Sequence, residues 1–354
     1  MANRRTFIRS AGAAGVAGLV GLSGCTGGNG DGSNGSGSGD STSASGGTTE
    51  GSTGGESTTT GSSSSQDSIM FALTPAESDV DVQAQYQPLF EYIESEVGVT
   101  VESTVAADYA AVLQALKSGQ ADIADAAPAI AIQGGNEGVT KVIGIRIAYG
   151  ASRYFSLITT TPDSGIEELT DLEGETIAFA DRLSTSGALF PLYMLSKAGL
   201  DTGNAPDGNP EDFSAQFSDH STARETLINR DEVVAAGTGA FSTAPHVPKD
   251  QFSQQFLDTS AENDGDLGTA DPELKLLSTS DPIPRAPILG RTEMDQSLYS
   301  EIETALLDVS EDDLINEELG DDQQLWFTGV DEGTVEDYQP VQNVLDELGV
   351  TLGQ

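Results

Sequence analysis

The chain has 354 residues and is strongly acidic, with 57 Asp and Glu against 15 Lys and Arg, a formal charge of −42, two histidines and one cysteine. Such a surface excludes a nucleic-acid partner held through its phosphates, and a single thiol excludes a disulfide scaffold. With His220 and His246 the only imidazoles, a zinc or similar metal site lacks ligands, and no cofactor is implied.

From the N-terminus, Arg4-Arg5-Thr6-Phe7-Ile8-Arg9 is a twin-arginine block, followed by a small-residue apolar run at 11–22. The run is shorter than the ~20 apolar residues that span a bilayer. Residues 1–24 therefore read as a Tat export signal. Leu22-Ser23-Gly24-Cys25 ends the run in the pattern of a lipobox, so Cys25 is expected to carry lipid and to hold the protein on the outer face of the cytoplasmic membrane. Residues 25–66 are the lipidated cysteine and a tether of Gly, Ser and Thr, with too few apolar groups to offset ordering entropy. Such a tether has a reach of roughly 35 Å. A glycosylated stalk is the other reading of the same composition.

Arg4, Arg5 and Arg9 leave with the signal, so the mature chain would keep 12 basic residues against 57 acids. A calcium-binding reading fails for want of an Asp-x-Asp-x-Asp-Gly loop. The acids, including Glu311-Asp312-Asp313 and Asp321-Asp322, are spread along the chain. They suit a solvated surface adapted to high salt, where the Debye length falls to ~3 Å at 1 M.

The part from 67 to 354 is long enough for two cores, and short apolar runs alternate with helical patterns, an α/β signature. Strands are predicted at 68–73, 99–105 and 122–126, the last cut by Pro128, with helices at 82–97 and 109–117. The next block has strands at 155–160 and 176–180, then Ser184-Thr185-Ser186-Gly187 and a helix to about 197. A helix at 221–228 and strands at 233–236 and 274–278 follow, and helices at 297–307 and 341–348 close the chain. Residues 260–270 read as an acidic surface loop.

The Ser184–Gly187 segment carries chemistry of its own. A strand delivers the chain to a helix start, where unpaired N–H groups and a partial positive charge face outward. Hydroxyls of Ser184, Thr185 and Ser186 add donors, and Gly187 is expected to let a ligand approach the backbone. Such a start binds an oxyanion without a cationic side chain. Helix capping alone also accounts for Ser and Thr there.

Asp108-Tyr109-Ala110-Ala111-Val112-Leu113-Gln114-Ala115-Leu116 with Gly119-Gln120-Ala121-Asp122-Ile123-Ala124 resembles the first-lobe signature of the phosphate/phosphite/phosphonate substrate-binding proteins of ABC importers. Tyr154-Phe155-Ser156-Leu157-Ile158, Asp163-Ser164-Gly165-Ile166 and Asp171-Leu172-Glu173-Gly174 are similar to the stretch where that family enters its second lobe. Phe179-Ala180-Asp181 with Ser184-Thr185-Ser186-Gly187-Ala188-Leu189-Phe190-Pro191 matches most closely. The resemblance covers roughly residues 68 to 300.

It implies a type II periplasmic-binding-protein fold, with lobe 1 at 67–155 and 283–354, lobe 2 at 156–282, and a hinge between. It also implies a monomeric haloarchaeal-type lipoprotein that binds a small phosphorus oxyanion and delivers it to ABC permease and ATPase subunits. Tyr109 and Tyr154 would offer hydroxyls from the first lobe and the crossing. His220 would point at the oxyanion, and Asp281 would accept a proton from it, selecting against sulfate. Ala235-Ala236-Gly237-Thr238-Gly239-Ala240-Phe241 lacks the acid that aminoalkylphosphonate binders place about where Phe241 falls, leaving phosphate, phosphite or a simple phosphonate. Receptors for another small anion or organic solute share the fold, and a chemosensory subunit would share every residue feature. An exported hydrolase would need a nucleophile with a paired base or a metal cluster, and no Gly-x-Ser-x-Gly elbow is present.

Overall fold

The computed structural model describes residues 67–148, 150–262, 265–320 and 323–350. The twin-arginine block, Cys25, the tether and Asp321-Asp322 lie outside the described residues.

In chain order the elements begin with β1 (Ser68–Leu73), α1 (Val82–Val97), β2 (Thr100–Val105), α2 (Tyr109–Ser118), β3 (Ile123–Asp125), α3 (Pro128–Asn136) and β4 (Thr140–Ile147). Then come β5 (Arg153–Tyr154), β6 (Ser156–Thr160), β7 (Thr176–Phe179), a π turn (Thr185–Leu189), α4 (Phe190–Ala198), β8 (Ser214–Phe217), α5 (His220–Asn229), β9 (Ala235–Gly239), α6 (Ala240–Thr243) and α7 (Gln254–Thr259). The chain closes with β10 (Lys275–Thr279), β11 (Ile283–Pro284), β12 (Pro287–Arg291), α8 (Gln296–Asp308), β13 (Gly329–Asp331) and α9 (Gln339–Leu348).

The strands form two main sheets and a ribbon. One sheet has the order β13-β4-β12-β3-β1-β2, the other β10-β6-β9-β7-β8, and β5 pairs with β11. The ribbon joins Tyr154 to Ile283 and Arg153 to Pro284, so the two chain crossings between the sheets lie side by side.

Each sheet is covered on both faces, as parallel strands require. In β1, Ile69, Phe71 and Leu73 pack with Tyr86, Leu89, Phe90 and Ile93 of α1 and Ile302 of α8. Ala72 faces the other way, toward Val112, Leu113 and Leu116 of α2 and Val341 of α9. In the second sheet, Leu157 packs with Leu227 and Phe256, while Ile158 packs with Leu192 and Leu195 of α4. Asp81 and Asp108 cap α1 and α2 by accepting N–H bonds from Ala84 and Ala111, and Gly98 and Gly119 end them in the left-handed region.

The differences from the expected elements have physical reasons. Pro128 does not end a structured segment. It opens α3, where its missing N–H costs nothing. The strand expected at 233–236 sits at Ala235–Gly239, and β8 and β12 went unpredicted because they lack an apolar alternation, β4 because Lys141 and Arg146 interrupt its apolar run. The 260–270 stretch is not purely surface, since Leu267 is buried in the second lobe's core.

Candidate functional site

The carboxyl ends of the parallel strands of both sheets open on one cavity of about 270 Å³. That is where open α/β sheets bind ligands, because successive loops diverge there and helix starts point inward. Thr74 and Glu77 follow β1, Tyr109 follows β2, Ala126 to Pro128 follow β3, Ser184 to Ser186 follow β7, His220 follows β8 and Phe241 follows β9, and all of them line it. Tyr154 and Arg285 line it from the two crossings.

Ser184 is held by two donors. His220 Nδ1 accepts the Gly239 N–H at 2.9 Å, and its Nε2 lies 3.0 Å from Ser184 Oγ. Burial pushes the His220 pKa down to about 3, so the ring is neutral and the proton must sit on Nε2, which donates to Ser184. The Gly187 N–H donates to the same Oγ at 3.1 Å. With both acceptor positions used, the Ser184 hydroxyl can only donate, and the Tyr109 hydroxyl lies within hydrogen-bonding reach of it.

Thr185 Oγ1 accepts the N–H of Ala129 at 3.0 Å, tying the π turn to the start of α3 across the cleft. Its own hydrogen is likewise left to donate. The π turn itself, with the Phe190 N–H bonded to the Thr185 carbonyl and the Leu189 N–H to that of Ser184, presents the three hydroxyl residues before the regular helix begins. Tyr109 and Tyr154 are buried aromatics with hydroxyls near Ser184 and Ser186. Desolvation raises both, Tyr109 well above 10 and Tyr154 to about 12, so each stays a protonated donor.

Six of the predicted residues, Tyr109, Tyr154, Ser184, Thr185, Ser186 and His220, thus meet at one cavity. Two do not. Gly187 lies behind it, where an added Cβ would meet Ala180 Cβ at 2.3 Å and His220 Cε1 at 2.6 Å. The missing side chain there admits the imidazole, not a ligand. Asp281 is exposed and outside the cavity lining, in the turn before Pro282. It cannot accept a proton from a ligand held there. His220 reaches the wall, but both its nitrogens are engaged with the protein, so it acts through Ser184.

The cavity also holds groups that the sequence reading did not single out. Tyr86 donates to Asp125 Oδ2 at 2.7 Å, and Arg146 Nη1 meets Asp125 Oδ1 at 2.7 Å and the Tyr86 hydroxyl at 2.6 Å. This buried triad is internally neutral. Arg285 stands beside it, only 3% exposed, and Trp326 covers both guanidiniums, at 4.6 Å from Arg146 and 5.6 Å from Arg285. The helix start therefore does not stand alone, since two buried guanidiniums line the same cavity. Glu77 is partly buried, and desolvation, helped by Asp79, lifts its pKa to about 7. No sequence periodicity marks these residues, because their partners come from distant elements. Among the described residues no cluster of His, Cys, Asp and Glu is arranged to hold a metal ion, and no helix is long and apolar enough to cross a membrane.

A sequence profile of the family described as ABC transporter, phosphonate, periplasmic substrate-binding protein matches residues 71–338. The chain is 33% identical over 156 residues to the phosphate-import protein PhnD of Mycolicibacterium smegmatis, covering 43% of this chain and 47% of that protein. It is 27% identical over 139 residues to the phosphonates-binding periplasmic protein of Escherichia coli, covering 38% of this chain and 41% of that one. The chain thus spans less than half the length of these curated relatives. Among solved structures, the binding-protein component of an ABC phosphonate transporter from Pseudomonas aeruginosa superposes with a TM-score of 0.60 at 20% identity, covering 80% of this chain and 87% of that one. PhnD1 of Prochlorococcus marinus, in complex with methylphosphonate, gives a TM-score of 0.60 at 13% identity, covering 80% and 99%. These likenesses show the fold, a two-lobed type II periplasmic-binding-protein architecture.

Proposed function

We propose, from the premise that this chain belongs to the ABC-transporter family of periplasmic phosphonate substrate-binding proteins, that it is the receptor of an importer whose cargo is a small phosphorus oxyanion: phosphate, phosphite or a simple phosphonate. The family consists of solute-binding proteins, not enzymes. The observation that carries the reading is the fixed hydroxyl of Ser184, made a donor by His220 and Gly187, beside Thr185 and Ser186 at a helix start. Donors held in place before the ligand arrives need no reorganisation and bind an oxyanion strongly once water is excluded. The ribbon of β5 and β11 is the hinge about which residues 67–155 with 283–354 and residues 156–282 would close on the ligand. Closure would create the surface that a permease with its ATPase recognises. Calorimetric titration in molar KCl with phosphate, phosphite, methylphosphonate and sulfate tests this. One of the first three should bind at least tenfold tighter than sulfate, and the reading fails if sulfate binds equally or if none binds.

The membrane address is part of the same proposal. Residues 1–24 would direct Tat export, and lipid on Cys25 with the 26–66 tether would keep the receptor near its permease. Cys25→Ser is expected to move the protein from membranes to the medium in a fractionation assay. Retention at wild-type levels would refute the anchor.

A further inference from the structure

Arg285 carries a buried charge that no described residue pairs with directly, Glu262 acting on it only through space. Its backbone is fixed from both sides, with its N–H donating to the Ser152 carbonyl at 3.1 Å and its own carbonyl accepting the Tyr338 hydroxyl at 2.7 Å. Its side chain lines the cavity, its Nε is buried without a hydrogen-bond partner, and no carboxylate of the described residues lies within ion-pair distance. Desolvation lowers its pKa to about 10, so it is still a cation at neutral pH. Arg146 next to it shows the contrast, with Asp125, the Tyr86 hydroxyl and the Ala286 carbonyl all accepting from it. A buried guanidinium left without an anion is costly, and its flat fork of donors matches a carboxylate.

The cavity's size adds a second constraint. Its volume of about 270 Å³ is more than one five-atom oxyanion fills. Ala126, Ala127, Phe241 and Trp326 give part of the wall an apolar surface that suits a short carbon linker, while Thr74, Glu77, Gln85 and Gln324 supply its other polar groups. A ligand ammonium group is disfavoured beside Arg285.

We propose that the cargo is a bifunctional acid, a phosphorus oxyanion joined by a short carbon chain to a carboxylate, with the phosphorus group on the Ser184–Ser186 hydroxyls and the carboxylate on Arg285. The assignment rests on the phosphorus-oxyanion reading above and narrows it to carboxyalkyl phosphonates and phosphate esters of small hydroxy acids.

The test is calorimetric titration of the intact processed protein in molar KCl with methylphosphonate, phosphonoacetate, 3-phosphonopropionate and methylenediphosphonate, on wild type, Arg285→Gln and Arg285→Lys. The wild type should bind one of the two carboxylated phosphonates at least tenfold tighter than methylphosphonate. Arg285→Gln should collapse that preference to within about threefold, and Arg285→Lys should keep part of it, which separates charge recognition from misfolding. A wild type that binds methylphosphonate without preferring a carboxylate overturns this inference alone, as does an Arg285→Gln that weakens both ligands equally. Tighter binding of the diphosphonate assigns Arg285 to a second phosphorus group and also overturns it. A wild type that binds none of the four also overturns this inference, and overturns the phosphorus-oxyanion reading itself only when phosphate and phosphite fail to bind as well.

Discussion

Ser184 shows how a residue's role follows from what its neighbours take from it. His220 and the Gly187 N–H occupy its lone pairs, so the hydroxyl can only donate. Hydrogen bonds to charged groups are worth roughly 1.5–3 kcal/mol. Ser184→Ala should therefore weaken oxyanion binding tenfold to a hundredfold in a titration, and it leaves the buried His220 Nε2–H without its acceptor. Asp281→Asn, at an exposed position, should leave both affinity and discrimination against sulfate unchanged in the same titration. Glu77 sets a pH dependence of known sign. Its pKa in the fold is about 7, raised above the ordinary 4.5 by burial, so the protonated form is favoured below that value and a negative charge enters the cavity above it. Anion binding should weaken as pH rises from 6 to 8. Glu77→Gln should remove this component, leaving the variant about fivefold tighter than wild type at pH 8 if the bound anion shifts Glu77 by one further unit. Paired titrations of wild type and variant at both pH values cancel the ligand's own ionisation, and equal ratios at both would refute the role given to Glu77.

Among the elements, the π turn is the one whose geometry makes the site. It is packed from behind at Gly187, where a methyl group would overlap Ala180 and the His220 ring. Gly187→Ala should destabilise the fold by about 1–3 kcal/mol, as overpacking does, and a thermal melt reads it directly. The turn was legible in the sequence as three hydroxyl residues after a strand, although the i to i+5 bonding was not. β1, α1 and α2 were equally legible, because alternation and Asp and Gly caps are local signals. α3 was missed because Pro128 breaks and starts helices with the same chemistry. β4 was missed because Lys141 and Arg146 interrupt its apolar run, and with it went the buried triad that Arg146 forms with Tyr86 and Asp125. Arg285 gave no signal at all, since what singles it out is the absence of a partner in three dimensions. Asp281 misled for the opposite reason. The family resemblance put it near the returning hinge and the cleft, whereas the Ser280–Pro282 turn leaves it exposed to solvent.

At the scale of the molecule, acid covers the surface while two arginines sit inside the cleft, each no more than 3% exposed. The 57 acids repel one another once screening is lost, with a Debye length of roughly 10 Å at 0.1 M against ~3 Å at 1 M. The unfolding temperature should therefore rise steeply between dilute buffer and molar KCl, and a flat melting curve series would show that the acids do not have that effect. Buried pairs such as Arg146–Asp125 are screened far less, so the cleft should keep its ordering across the same range. The bonds that cross the cleft have a further consequence, in time rather than in energy. Thr185 takes the Ala129 N–H on one side, and on the other the Ala76 carbonyl takes the His220 N–H while the Ser78 N–H donates to Ser221 Oγ. A molecule enclosed between these latches leaves only after they part, so cargoes of unequal affinity would share one ceiling on their escape rate in a displacement experiment, set by the protein's own opening.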